Sequence, residues 1–134
     1  MKKLAVLILF LCASTQAMAA DRCTALNSKK LTVNGNGFAN GLTGAISLQG
    51  PTNGTYSFQT WIQFPNAPVD AVTGTCKDRH IVFTRTRPGS FVQEYDGWLF
   101  EWNDKLMAGV FDNQSSSSKR YGWYGELTPV PDIH

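Results

Sequence analysis

Residues that carry acid–base or metal chemistry are scarce in this sequence. Only two of its 134 residues are histidines, His80 and the terminal His134, and neither has a second histidine at metal-ligand spacing. The Gly-x-Ser-x-Gly motif of serine hydrolases and the glycine-rich phosphate loop are both absent. The ten carboxylates have the distribution of solvated surface charge. We therefore predict that the protein is not an enzyme and holds no metal or cofactor, and we rank a small hydrolase third among its functions.

Apolar runs long enough to span a bilayer are missing after residue 20. Before it, two lysines precede an apolar run and the small residues Ala17-Met18-Ala19, a pattern typical of a secretory signal peptide, residues 1–19. The mature chain is then a single domain, residues 20–134, which contains ten basic and ten acidic residues. Such a chain lacks the excess positive charge that nucleic-acid binding requires. We expect export to the bacterial periplasm or medium, without membrane attachment after cleavage.

Cysteine is also scarce, with three residues, of which Cys12 belongs to the predicted signal peptide. The remaining two, Cys23 and Cys76, lie in a chain that we expect to be exported, and a disulfide is the usual state of such a pair. We therefore predict a Cys23–Cys76 disulfide that ties the start of the mature chain to its middle.

Helical periodicity is absent, and a period of two takes its place. Residues 55–64 alternate apolar and polar side chains, as in a half-buried strand. Turn-forming residues separate eight such segments, so we predict an all-β, eight-stranded antiparallel up-and-down barrel, with a β-sandwich as the alternative. Gly97 is expected to mark a bulge or corner. The predicted strands are 30–34, 42–49, 55–64, 69–76, 79–86, 90–101, 105–112 and 119–127.

Five short motifs follow one another in an order that resembles the strand succession of avidin-like barrels, which are of the calycin type. They are Leu42-Thr43-Gly44, Gly54-Thr55-Tyr56, Val72-Thr73-Gly74-Thr75, Ile81-Val82-Phe83-Thr84 and Tyr95-Asp96-Gly97-Trp98. The resemblance spans about residues 42–112 and implies an eight-stranded up-and-down barrel. No residue of the family's biotin site is matched, and the Gly-x-Trp of its first strand has no counterpart.

One glutamine falls among residues that the alternation directs inward. Gln93 shares the parity of Phe91 and Tyr95, and a buried amide needs hydrogen-bond partners, either within the barrel or on a ligand. Apolar walls with a few placed polar groups are typical of ligand pockets. We predict that a small apolar or sugar-like molecule binds inside the barrel, and that Tyr56, Gln93 and Tyr95 contact it.

Several aromatic residues fall on polar faces of their strands, where a barrel core does not need them. Exposed aromatics of this kind are typical of sugar-stacking surfaces and protein interfaces, and they also cover outer walls or pack between subunits. The alternative function is therefore a secreted protein-interaction module, such as an enzyme inhibitor, with the oligomeric state and the partner left open. The candidate surface residues are Trp61, Trp98, Trp102 and Tyr124.

Overall fold

A computed structural model describes residues 22–35, 40–113 and 120–130 of the chain. The predicted signal peptide lies outside these described residues. One short 3₁₀ helix and nine strands make up the described part, and none of its helices is long and apolar enough to cross a membrane. The 3₁₀ helix is Arg22–Leu26, and the strands are β1 Lys29–Gly35, β2 Gly41–Thr43, β3 Gln49–Thr52, β4 Thr55–Gln63, β5 Val69–Lys77, β6 His80–Arg87, β7 Phe91–Leu99, β8 Leu106–Asn113 and β9 Arg120–Pro129.

The strands form a closed antiparallel barrel, as predicted from the sequence, and not the alternative β-sandwich. Pairing runs from β4 through β5, β6, β7, β8 and β9 to β1 and then β2. The short strand β2 pairs with β1 on one side and with β4 on the other, which closes a ring of eight strands. Strand β3 stands outside that ring because it pairs with β4 alone.

The structure differs from two local expectations, an unbroken strand 42–49 and a bulge at Gly97. The predicted strand 42–49 is divided, because β2 ends at Thr43 and β3 begins at Gln49. Gly97 is not a bulge, since its register with β6 and β8 is continuous. Gly97 faces inward, where the Trp123 ring packs against it. A Cβ atom at this position would lie 2.6 Å from Cζ2 of Trp123, so the glycine makes room for an indole.

A layer of aromatic rings fills the middle of the barrel. The Tyr95 ring stacks between Phe83 and Phe111, with centroid distances of 4.6 and 4.8 Å. Trp123 meets Phe83 edge-on at 5.4 Å, and its indole N–H donates a hydrogen bond of 3.0 Å to the Val110 carbonyl. Stacked and edge-on rings at such distances are favourable packing geometries, so these four side chains form a well-packed aromatic layer inside the barrel.

The two ends of the barrel are built differently. At one end the 3₁₀ helix acts as a plug, with Cys23 and Leu26 fully buried. The predicted disulfide is present there and joins Cys23 to Cys76 near the end of β5, with their Cα atoms 5.8 Å apart. At the other end, where β1 finishes at Gly35 and β7 begins at Phe91, the barrel opens into a cavity. We call this end the open mouth.

Candidate functional site

The open mouth contains a cavity of about 290 Å³ between the ends of several strands. Strands β1, β6, β7 and β8 and the segment that follows β4 all contribute to its wall. Because several strands bound it, the cavity is a cleft of the kind in which small molecules bind. Among the residues that the structure describes, those that line it are Gly35, Phe64, Pro65, Arg85, Gln93, Tyr95 and Phe111.

A second hollow, of about 340 Å³, lies on the hairpin between β6 and β7. Within the described part of the chain, its lining comes from residues 86–92, a single turn of chain. A ligand there would contact one hairpin among these residues, whereas the barrel mouth offers side chains from several strands. Although this hollow is the larger of the two, we place the candidate site in the barrel mouth.

Gln93 and Tyr95, which the alternation places inside the barrel, both line the cavity. The Tyr95 hydroxyl donates a hydrogen bond of 2.9 Å to Oε1 of Gln93, and the Arg85 Nη1 donates one of 3.1 Å to the same oxygen. A guanidinium group can only donate, so the Gln93 oxygen must face Arg85 and its amide NH₂ must point elsewhere. Within the described part of the chain, no residue accepts a hydrogen bond from that NH₂ group.

A buried carboxylate anchors the polar groups of the mouth. Asp70, on β5, has no solvent-exposed side-chain surface and accepts hydrogen bonds from two arginines of β6. Arg85 Nε donates to Oδ2 at 2.7 Å, while Arg87 donates from Nε to Oδ1 at 2.7 Å and from Nη2 to Oδ2 at 3.1 Å. Two cations thus share one anion, and the cluster of Asp70, Arg85 and Arg87 carries one net positive charge.

Aromatic rings hold the Arg85 guanidinium in place. Its central carbon lies 4.3 Å from the centroid of Phe64 and 4.8 Å from that of Phe91. Cation–π contacts of this kind favour a charged group against the ring face. With rings packed against it, Arg85 presents the rest of its hydrogen-bonding edge in a fixed direction.

Ionisation in the cluster follows from these contacts. Burial opposes ionisation of Asp70, but the hydrogen bonds from Arg87 and Arg85 outweigh it and hold the pKa of the carboxyl below its ordinary value. The hydrogen bond to Asp70 raises the pKa of Arg87. Burial raises the pKa of the Tyr95 phenol, against the opposing effect of Arg85. At neutral pH the mouth therefore holds a carboxylate, two guanidinium groups and a neutral phenol.

Asp70, Arg85 and Arg87 were not predicted as site residues, although their pattern is visible in the chain. Arg85 and Arg87 share the parity of Ile81 and Phe83 on β6, and Asp70 shares that of Val72 on β5. Charged residues on an otherwise inward parity, of opposite sign on neighbouring strands, are the signal that would have found them.

Tyr56, the third predicted ligand residue, does not reach the mouth. It lies near the start of β4, paired with the disulfide residue Cys76, whereas Phe64 of the cavity follows the end of the same strand. Eight residues of extended chain separate them, which is about 26 Å along the strand. The structure therefore brings Gln93 and Tyr95 together and leaves Tyr56 at the plugged end, packed against the core.

The four surface aromatics are exposed, but they do not form one patch. Trp98 and Tyr124 flank Ala108 in a single row across the outside of β7, β8 and β9, and His80 stacks on Trp98 at 4.6 Å. Trp61 lies on β4, three strands away from β7. The exposed fractions are 44% for Trp61, 50% for Trp98, 93% for Trp102 and 57% for Tyr124.

His80 lies on the outer face, where its Nε2 is 2.6 Å from Oδ1 of Asp96. Over residues 22–35, 40–113 and 120–130, no group of three His, Cys, Asp or Glu side chains is arranged to hold a metal ion. Comparison of the chain with protein-family models, with curated proteins and with solved structures finds no match.

Proposed function

We propose that this protein binds a small organic molecule in the open mouth of its barrel and does not transform it chemically. The observation that carries this proposal is a hydrogen-bonded network, Arg85–Gln93–Tyr95, that faces a cavity with aromatic walls. Ligand pockets generally combine apolar walls with a few fixed polar groups. The cavity's volume of about 290 Å³ is just below the usual range for such pockets, about 300–1,000 Å³, so the proposed ligand is small.

The composition of the mouth favours a binding role over a purely structural one. Apolar residues of similar volume would fill a barrel end at least as stably as buried ions, because desolvation of charges is costly. The charged cluster also stands beside empty space, whereas the other end of the barrel is plugged. Polar groups held rigidly next to a cavity are the arrangement expected of a preorganised site.

We further propose that the protein acts outside the cytoplasm, in the periplasm or the medium. The disulfide and the signal-peptide pattern of residues 1–19 support this location. The resemblance to avidin-like barrels supports a ligand held inside the barrel, although it identifies no ligand. An exported barrel of this type would capture its ligand from the surrounding fluid.

The proposal is tested by native mass spectrometry of protein purified from its own host. We expect the native spectrum to show bound mass that disappears on denaturation. In Gln93→Leu, which removes the amide but keeps much of its volume, we expect about a fivefold or greater loss of affinity for that ligand, since an unpaired buried polar group costs about 1–3 kcal/mol. Trp61→Ala, on the outer face, is the control and should retain the ligand. Native protein without bound mass would contradict the proposal.

A second candidate function is binding to a protein partner through the outer aromatic row of Trp98 and Tyr124. Tryptophan and tyrosine are enriched among the residues that dominate interface energies, and both side chains are at least half exposed here. Under this alternative, Trp98→Ala would weaken capture of a co-purifying protein by about 2 kcal/mol or more. Gln93→Leu would then leave that interaction unchanged.

A further inference from the structure

We infer that the ligand of the open mouth is a small monocarboxylate with a flat, ring-containing body. This inference rests on the proposed function and adds the chemical class of the ligand. Its starting point is the sidedness of the charged cluster. Arg85 lines the cavity, whereas the carboxylate of Asp70, with no solvent-exposed side-chain surface, is not part of the wall. A ligand in the cavity therefore meets the cation and not its counter-ion.

The charge of the cluster leaves room for one more anion. Asp70 neutralises one of the two guanidinium groups, so the cluster keeps a net charge of +1. No aspartate or glutamate lines the cavity among the described residues. The acidic residues closest in sequence to the wall residues are Glu94, Asp96 and Asp112, and all three have the opposite parity on their strands. Glu94 and Asp96 are exposed on the outside of the barrel, and Asp112 is paired with Glu94 on the neighbouring strand. A ligand with a single negative charge would make the mouth neutral.

The hydrogen-bonding groups of the wall are mostly donors. Arg85 has five N–H groups, of which two are used, by Asp70 and Gln93, within the described part of the chain. The NH₂ group of Gln93 adds two more donors. Since Oε1 of Gln93 already accepts two hydrogen bonds, the free hydrogen-bonding capacity of the wall suits an acceptor-rich ligand group. A planar carboxylate matches the planar edge of a guanidinium group, which commonly binds it through two parallel hydrogen bonds.

The remaining walls favour a flat apolar body. Phe64 and Phe111 line the cavity together with Pro65, and Gly35 contributes backbone without a side chain. Phe111 is already part of a stack with Tyr95, at 4.8 Å and an angle of 17° between the rings. Aromatic side chains gain most from offset-stacked or edge-on rings, so a ring on the ligand would use these walls better than a flexible chain.

Three probes of equal ring size separate charge from shape: 2-naphthoate, the neutral 2-naphthamide and the cationic 2-naphthylmethylamine. Binding is followed by titration in ¹H–¹⁵N NMR spectra of the mature protein, in which the side-chain amide signals of Gln93 report on the site itself. We expect 2-naphthoate to saturate these signals below about 1 mM, the amide to bind at least tenfold more weakly, and the amine not to bind.

Two substitutions and a matched control assign the charge to Arg85. Arg85→Gln removes the cation from the wall and should abolish the preference for the acid over the amide. Arg79→Gln removes the same charge at the outer surface, where Arg79 lies 3.9 Å from Glu101, and should leave the preference unchanged. If Arg85→Gln fails to fold, Gln93→Glu serves instead. It keeps an oxygen for Arg85 but replaces the donor NH₂ by an acceptor, and it should lose 2-naphthoate. Because this variant lacks the Gln93 side-chain amide signals, its titration is followed by the backbone amide signals of Gly35 and Phe111, which also line the cavity.

Other results would overturn the inference. Equal affinities for the acid and the amide would show that the mouth binds rings without distinguishing their charge. The proposed binding function would then be retained, and the carboxylate class of the ligand would be wrong. Failure of every probe to bind the folded wild-type protein would also overturn the inference, while ligand retained in native protein would still support the binding function. An equal loss of binding in Arg79→Gln and Arg85→Gln would reduce the effect to overall charge.

Discussion

Asp70 shows at the scale of a single residue how the barrel tolerates a buried charge. Its two carboxylate oxygens accept three hydrogen bonds, all from guanidinium groups. Hydrogen bonds between charged partners are shorter and stronger than neutral ones, and they offset the cost of removing the charge from water. The carboxylate also separates two cations that would otherwise repel each other. Asp70 therefore fixes the position of Arg85 in the cavity wall.

The role of Asp70 predicts a specific dependence of stability on pH. The folded-state pKa of Asp70 lies below its ordinary value of 3.8, so its ionised form stabilises the fold above that pH, and the stabilisation is lost as the pH falls through the folded pKa. Asp70→Asn leaves two guanidinium groups without their anion and should lower the free energy of unfolding at pH 7 by about 3 kcal/mol. The difference from the wild type should shrink below pH 3.8.

Urea unfolding of both proteins from pH 7 down to pH 2.5 measures this difference. Glu101→Gln is the control, because it removes a carboxylate from an exposed ion pair and should change stability by less than about 0.5 kcal/mol. If the curves for the wild type and Asp70→Asn stayed parallel over the whole pH range, the carboxylate would not be the source of the acid sensitivity.

At the scale of elements, the barrel closes where β2 pairs with β1 and β4, and this closure depends on a side chain. Strand β2 is only three residues long and forms two residue pairs with β1 and two with β4. Thr43 supplements this short ladder, because its hydroxyl accepts a hydrogen bond from the Leu31 backbone N–H and donates one to the Gly44 carbonyl, both at 2.8 Å. A buried threonine thus takes the place of missing backbone partners.

Replacement of Thr43 by valine should weaken this closure. The substitution keeps the shape but leaves the Leu31 N–H without its acceptor, at a cost of about 1–3 kcal/mol. Chemical denaturation measures the loss, and hydrogen exchange should show faster exchange at the Leu31 amide. Thr75→Val, on the exposed face of β5, is the control and should be nearly neutral. Equal stabilities of the two variants would show that backbone pairing alone closes the barrel.

The short strand β2 also shows which elements the sequence does not predict. Long strands such as β4 and β5 are confirmed within one residue at each end, because one buried face imposes an alternation over nine residues. Strand β2 is too short to show a period, and its partners β1 and β4 are set by the closure of the whole barrel. The 3₁₀ helix was likewise not predicted, because its position depends on the barrel end against which Cys23 and Leu26 are buried. Local patterns report long-range pairing only when the strand is long.

The candidate site shows a similar division. Alternation alone places Gln93 and Tyr95 inside the barrel, since they share the parity of other inward residues. Arginine and aspartate are residues that sequence analysis assigns to the surface by default, because a buried charge is rare without a partner. Here the partners lie on neighbouring strands. Arg85 of β6 is paired in register with Val72 of β5, and Asp70 is the inward-facing residue that precedes Val72 on that strand. Only the pairing register of β5 and β6 brings them together.

At the scale of the whole molecule, the disulfide-linked apolar plug and the proposed binding cavity lie at opposite ends of the barrel axis. The plugged end holds the disulfide, the buried Leu26 and the half-buried Tyr56, all packed into the hydrophobic core. The open end holds the charged cluster and the cavity. Between them, the aromatic layer around Tyr95 and Trp123 fills the interior. Changes at the plugged end should therefore affect folding without altering the shape or charge of the mouth.

Tyr56 and Gln93 test this separation, because both are inward residues and only Gln93 lines the cavity. Tyr56→Ala removes a ring from the core and should lower the free energy of unfolding by about 2 kcal/mol. Its affinity for 2-naphthoate should stay within about twofold, because ~0.4 kcal/mol is the largest change expected from a distant site. Gln93→Leu should have the opposite profile, with a loss of affinity of about fivefold or more and a smaller loss of stability. Urea denaturation and NMR titration of the same two samples supply both quantities. Loss of binding in a folded Tyr56→Ala protein would show that the ligand reaches through the aromatic layer, and the barrel would then have to be treated as one continuous pocket.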